Sequence, residues 1–176
     1  MQSSNERKPA SPREEQRRDD WQVAFGGLLT APGGNTTKGG GIWATDASGA
    51  LRLVALKGDV APGVPGGQRF ATLYDPVLDN RGDIAFLATV GDPIRGNTGI
   101  WLSRDGRDIT LGDFYGDPVQ AIPGALFSSI GSPSINDFGQ IVFAAGLKIK
   151  PGGVDATNDG GIFLQDRMAG SSWWLV

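Results

Sequence analysis

From Trp21 onward, apolar residues fall in short runs separated by Gly, Pro, Asn and Asp. The clearest are Ile84–Val90 and Ile141–Leu147. Both are apolar at successive positions, as in a strand buried on both faces. Shorter runs begin at Gly-Ile-Trp, giving strands over Ile42–Thr45 and Ile100–Ser103. Turns over Asp46–Gly49 and Arg104–Arg107 lead to last strands over Leu51–Leu56 and Ile109–Phe114. Proline-led short strands, Pro76–Leu78 and Pro133–Ile135, precede the turns Asp79–Gly82 and Asn136–Gly139. Gly at the last place of those turns suits a positive φ. The pattern predicts short antiparallel strands joined by hairpin-like turns.

The same landmarks return at a period of about 60 residues. Gly41-Ile42-Trp43 recurs as Gly99-Ile100-Trp101 and as Gly161-Ile162-Phe163. Gln22-Val23-Ala24-Phe25 recurs as Asp83-Ile84-Ala85-Phe86 and as Gln140-Ile141-Val142-Phe143. Gly58-Asp59 returns as Gly116-Asp117, Phe70 as Phe127 and Pro76 as Pro133. Asp79-Asn80-Arg81-Gly82 matches Asn136-Asp137-Phe138-Gly139. The predicted fold class is therefore all-β, with four-stranded antiparallel units. Such units are β-propeller-like, because a four-stranded sheet apolar on both faces must stack on copies of itself. A β-sandwich and a β-solenoid are the other architectures weighed. The expected organisation is a partial unit over 21–57, a unit over 58–115 and a unit over 116–176. That makes under three blades, whereas closed propellers need about 4–8. The reading is thus an incomplete array: a fragment, a truncated frame, or one protomer of a homo-oligomer that closes the sheet array.

Composition sharpens this picture. All three Glu residues lie in residues 1–20, and the remaining chain carries 14 Asp and no Glu. Asp favours turns and Glu favours helices, so the body is expected to lack helices. Residues 1–20 hold ten charges and no aromatic or branched aliphatic residue, the signature of a disordered charged leader. Ser11, Pro12 and Glu14 would suit a frayed helical turn over Pro12–Arg18. The leader lacks the apolar core of a secretory signal. No run of ~18 apolar residues predicts a membrane span, so no membrane insertion is expected. The formal net charge of −3 argues against nucleic acid as a partner. With no Cys and no His, disulfides, Cys/His zinc sites and nucleophile–His pairs are excluded.

The pattern Asn-x-x-Gly-x-(Val/Ile)-x-Phe, then Gly-Ile-Trp, then Gly-Asp-x-x-Pro-Gly stands here as Asn136–Phe143, Gly99–Trp101 and Gly58–Gly63. Over Trp21–Val176 it resembles uncharacterised bacterial tandem-repeat proteins, many of which carry export signals and C-terminal anchoring tails. The resemblance implies a parent protein that is extracellular or at the cell surface. The chain departs from that pattern at Phe163, where Trp is usual, and at Gly116–Pro123, where Pro-Gly comes late. It also shows neither signal nor anchor.

Several residues are candidates for chemistry. Asp59 and Asp117 hold equivalent loop positions, and two such carboxylates would suit a propeller-type glycan hydrolase. A repeated Asp more often caps a turn. Asp155, Asn158 and Asp159 offer oxygen ligands for Ca2+ in a Gly-containing loop, against an ordinary solvated turn. Arg81-Gly82-Asp83 spells an adhesion tripeptide but sits in a predicted hairpin turn. Trp43, Trp101, Phe163, Trp173 and Trp174 would make either a carbohydrate-stacking platform or, more simply, sheet core. Lys38-Gly39-Gly40-Gly41 lacks the spacing of a phosphate loop. A Ser–Lys nucleophile using Lys57, Lys148 or Lys150 is supported by no spacing. Together these features predict a non-catalytic structural or binding module with a protein or glycan ligand. The rival is the hydrolase.

Overall fold

Each apolar run forms a strand in the computed structural model, which describes residues 22–30, 37–46, 48–92, 96–104, 106–166 and 172–175. The charged leader predicted over 1–20 lies outside the described residues. The fold is all-β, with two short 3-10 turns, Pro65–Gly67 and Pro151–Gly153, as its helical elements among the described residues. Every strand pairing is antiparallel.

Among the described residues three sheets follow one another along the chain, and none closes into a barrel. The first contains β1 (Ala24–Thr30), β2 (Thr37–Thr45) and β3 (Leu51–Leu56) in that order. The second contains β4 (Phe70–Leu73), β5 (Val77–Leu78), β6 (Ile84–Val90), β7 (Asn97–Arg104) and β8 (Asp108–Phe114). Its order is β4-β6-β7-β8, with β5 also paired to β6. The third contains β9 (Phe127–Ile130), β10 (Ser134–Ile135), β11 (Ile141–Leu147), β12 (Gly160–Asp166) and β13 (Ser172–Leu175). It repeats the same order, with β9 and β10 both paired to β11.

The opening edge strand is longer than the sequence pattern predicts. It starts at Phe70 and Phe127, breaks for a few residues before the proline, and resumes as the predicted short strand. Pro76 and Pro133 stand at the breaks. Proline cannot donate to the ladder, so the interruption falls on an edge strand, where it costs least. β2, β7 and β12 also begin earlier than Gly-Ile-Trp, at Thr37, Asn97 and Gly160.

The turns owe their shape to one device. The Oδ1 of Asp79 accepts the N–H groups of Arg81 (2.8 Å) and Asp83 (2.9 Å). The Oδ1 of Asn136 accepts those of Phe138 and Gln140, each at 3.0 Å. Asp46 does the same for Ser48 and Ala50. Each side chain thus replaces backbone partners across a tight turn. Gly82 (φ 85°) and Gly139 (φ 74°) close two of these turns in the left-handed region.

The second sheet lies between the other two and is buried on both faces. One face carries Ile84, Phe86, Ala88, Val90 and Trp101, packed against Ile42, Ala44, Val54 and Ala55 of the first sheet. The other carries Ala85, Leu87 and Ile100, packed against Phe127, Ile141, Phe143 and Phe163 of the third. β6 is therefore buried along its whole length, as its sequence predicts. β11 has an equally apolar sequence but is buried at alternate residues, with Val142 and Ala144 exposed. The difference is one of neighbours: β6 has a sheet on each side and β11 has one.

Aromatic rings fill both interfaces. Trp101 meets Phe70 edge-on with centroids 5.0 Å apart and stacks on Phe86 at 6.3 Å. Phe163 does the same with Phe127 at 5.2 Å and Phe143 at 6.0 Å. The indole N–H of Trp101 is satisfied by donating to the Pro62 carbonyl at 3.0 Å.

Candidate functional site

The Gly-Asp landmark is a backbone clasp between consecutive sheets. Gly58 N–H donates to the Phe70 carbonyl, and Phe70 N–H donates back to the Asp59 carbonyl. Gly116 and Asp117 do the same with Phe127. The clasp joins the end of one sheet's last strand to the start of the next sheet's first strand, which is why the pair recurs with Phe. The main chain of each Asp does this work, leaving its carboxylate available for other contacts.

The two side chains lie in different surroundings. Asp59 is exposed. Asp117 is partly buried, and its Oδ2 accepts the Phe114 N–H at 3.0 Å. Its neighbour in charge is Asp113 on β8, which is 3% exposed and has an Oδ2 without a hydrogen-bond partner. Burial first, and the charge of Asp117 second, push the Asp113 carboxyl up to about 8. Asp117 is raised as well, by burial, with the Phe114 hydrogen bond opposing. Asp113 therefore holds its proton at neutral pH beside a second carboxyl. Close by, Lys148 Nζ sits 4.5 Å over the Tyr115 ring, a cation–π contact. A neutral carboxylic acid next to a carboxylate can donate a proton. Here the acid is buried on the outermost strand of its sheet.

Sequence reasoning paired Asp59 with Asp117 and passed over Asp113. A signal was present. Counting back from Gly58 and Gly116, Asp113 takes the place of Ala55, which is also buried. An Asp where the matching strand has Ala is the anomaly that marks the site.

The structure places the remaining candidates as follows. In the loop proposed for Ca2+, Asp155 Oδ1 accepts from the Thr157 N–H (2.8 Å) and hydroxyl (2.6 Å). These bonds, the hydroxyl's first, hold the Asp155 carboxyl below its ordinary range. Asn158 Oδ1 accepts from the Asp155 N–H at 2.7 Å, and the Asp159 carbonyl accepts from Leu147. Among the described residues no group of three or more acidic residues is placed to hold a metal ion. Arg81-Gly82-Asp83 is the Asp79 turn itself, with Gly82 and Asp83 buried. Trp101 and Phe163 are core, whereas Trp43 lies half-buried on the outer face of the first sheet. Trp173 and Trp174 fall within β13. Gly39–Gly41 lie inside β2 rather than in a phosphate-binding loop. Among the described residues no helix is long and apolar enough to cross a membrane.

Neither a curated protein nor a solved structure matches the chain. A family model does match, over residues 19–171, which takes in β1 to β12. The chain belongs to the family of unknown function DUF7453.

Proposed function

We propose that the chain is a non-catalytic interaction module of β-propeller type, working within an exported or surface-associated protein. One observation carries this reading. At the second sheet the recurring apolar positions are buried beneath a neighbouring sheet, while on the outer faces of the first and third sheets the same positions, Phe25 and Ile162 among them, remain apolar and open. Large open apolar faces mark places where a protein meets a partner. The export setting draws on the resemblance to exported repeat proteins. Glycan hydrolysis is the second reading, favoured by the raised Asp113/Asp117 pair. The test is turnover of aryl glycosides and polysaccharides by the wild type and by Asp59→Asn/Asp117→Asn and Asp113→Ala variants. The expected result is no turnover above buffer for any of them, with changes in thermal stability alone. Turnover by the wild type that disappears in a variant would overturn the proposal in favour of the hydrolase.

A further inference from the structure

The two open faces are unlike each other, and each matches one half of the interfaces already inside the chain. The outer face of the first sheet carries Val23, Phe25, Trp43, Leu51 and Leu53, with Phe25 opposite Trp43 and Trp43 opposite Leu53 in the ladder. By position these correspond to Ile84, Phe86, Trp101, Ile109 and Leu111 of the second sheet. The ring geometry corresponds too. Phe25 and Trp43 stack at 6.0 Å and 17°, against 6.3 Å and 18° for Phe86 and Trp101, and 6.0 Å and 26° for Phe143 and Phe163. Two of these three pairs are buried beneath a neighbouring sheet. The third lies open, with Phe25 43% exposed.

On the outer face of the third sheet, β11 and β12 supply aliphatic residues, and Trp174 of β13 stands opposite Leu164 in the ladder. Val142 stands opposite Leu164, and Ala144 opposite Ile162. By position these four correspond to Ala85, Leu102, Leu87 and Ile100, the surface on which the aromatic face of the third sheet rests. Ile162 is 44% exposed where its counterpart Ile100 is fully buried. Inside the chain, an aromatic face packs on an aliphatic one at both junctions. The open aromatic face of the first sheet and the open aliphatic face of the third are the two halves of the same junction.

From this continuity with the internal interfaces, and resting on the interaction-module reading above, we infer that the occupant of each open face is a second copy of this chain. The contact is heterologous, first sheet on third sheet, and two copies bury all four open faces in a six-sheet ring. Heterologous contacts close when the rotation allows. Six sheets fall inside the range of about 4–8 that propellers use.

The experiment is sedimentation velocity and light scattering on the full chain over a hundredfold range of concentration. The expected mass is twice the 18.4 kDa of the chain. Phe25→Asp on one face and Ile162→Asp on the other must each return the mass to that of one chain. Leu53→Asp and Val142→Asp serve as second variants should either fail to fold by circular dichroism. A wild-type monomer overturns the inference and leaves the faces to other sheets or partners. Loss of the dimer in variants of one face alone would mean a symmetric face-to-face contact and overturns it. A dimer that survives both variants, or a polymer that grows with concentration, overturns it as well. Glycoside turnover would instead overturn the interaction-module reading, whatever the mass.

Discussion

Asp113 makes stability depend on pH in an unusual direction. In the unfolded chain its carboxyl ionises near 3.8, and in the folded protein it is pushed up to about 8. Between those values the folded state holds a proton that the unfolded state has released. Its contribution is therefore fully present below about pH 4 and is lost as pH rises towards 8. Each pH unit in that window is worth about 1.4 kcal/mol, so the wild type loses about 4 kcal/mol between pH 5 and pH 8. That is a large share of the roughly 5–15 kcal/mol that holds a domain together. The perturbation is Asp113→Ala, which copies the buried Ala55 at the matching position of the first sheet. The variant removes the group and most of the slope. It leaves the smaller contribution of Asp117, which is raised and acts in the same direction. Asp46 and Asp155 are lowered, so their contributions are lost below about pH 4, outside the window. The assay is urea unfolding followed by tryptophan fluorescence at pH 5, 6, 7 and 8. The stability difference, variant minus wild type, should grow by about 4 kcal/mol from pH 5 to pH 8. Parallel profiles for the two proteins would refute the assignment of a buried, neutral Asp113.

Two further outcomes follow from the turns. Asp79→Ala strips the acceptor from the buried Asp83 N–H and the part-buried Arg81 N–H and should cost about 2 kcal/mol by urea unfolding. Asp79→Asn should be close to neutral, because the matching Asn136 keeps the Oδ1 contacts and donates from Nδ2 to Gln140 at 2.8 Å, and Asp83 stands in Gln140's place. At the second 3-10 turn, Gly152 and Gly153 both have positive φ, 66° and 76°, but differ in space. A Cβ on Gly152 would lie 2.4 Å from the Ala125 nitrogen, while one on Gly153 would meet nothing. Gly153→Ala should cost about 1–2 kcal/mol for its backbone alone. Gly152→Ala adds a backbone clash and should cost about 3 kcal/mol or more, measured the same way.

The order of strands was legible because each turn is written locally. Asp79, Asn136 and Asp46 bind their own turn's N–H groups, so a short window of sequence is enough to place the chain reversal. The start of the edge strand was not legible. Phe70–Leu73 and Phe127–Ile130 are too short to show alternation, and what fixes them is the clasp from Gly58-Asp59 and Gly116-Asp117, a contact across a Gly/Pro-rich loop. Burial was half legible for the same reason. β6 and β11 have the same kind of sequence, and nothing within either strand says whether a sheet lies on its second side.

The carboxyl pair shows what reading by recurrence reports. Recurrence picked out Asp59 and Asp117 because both recur, and what recurs is the clasp made by their backbones. Chemistry that differs between units must instead sit where a unit departs from its sisters. Asp113 in place of Ala55 is such a departure, beside Gly112 in place of the buried Val54. A buried carboxyl there raises its own affinity for a proton and destabilises the fold above neutral pH, a cost that the Ala of the first sheet avoids. The same logic applies to Trp101 and Phe163. Trp101 needs the Pro62 carbonyl for its indole N–H. Phe163 keeps the ring and the stacking on Phe143 without needing any acceptor. Positions that repeat build the sheets, and positions that break the repeat carry the differences in proton affinity and polarity between them.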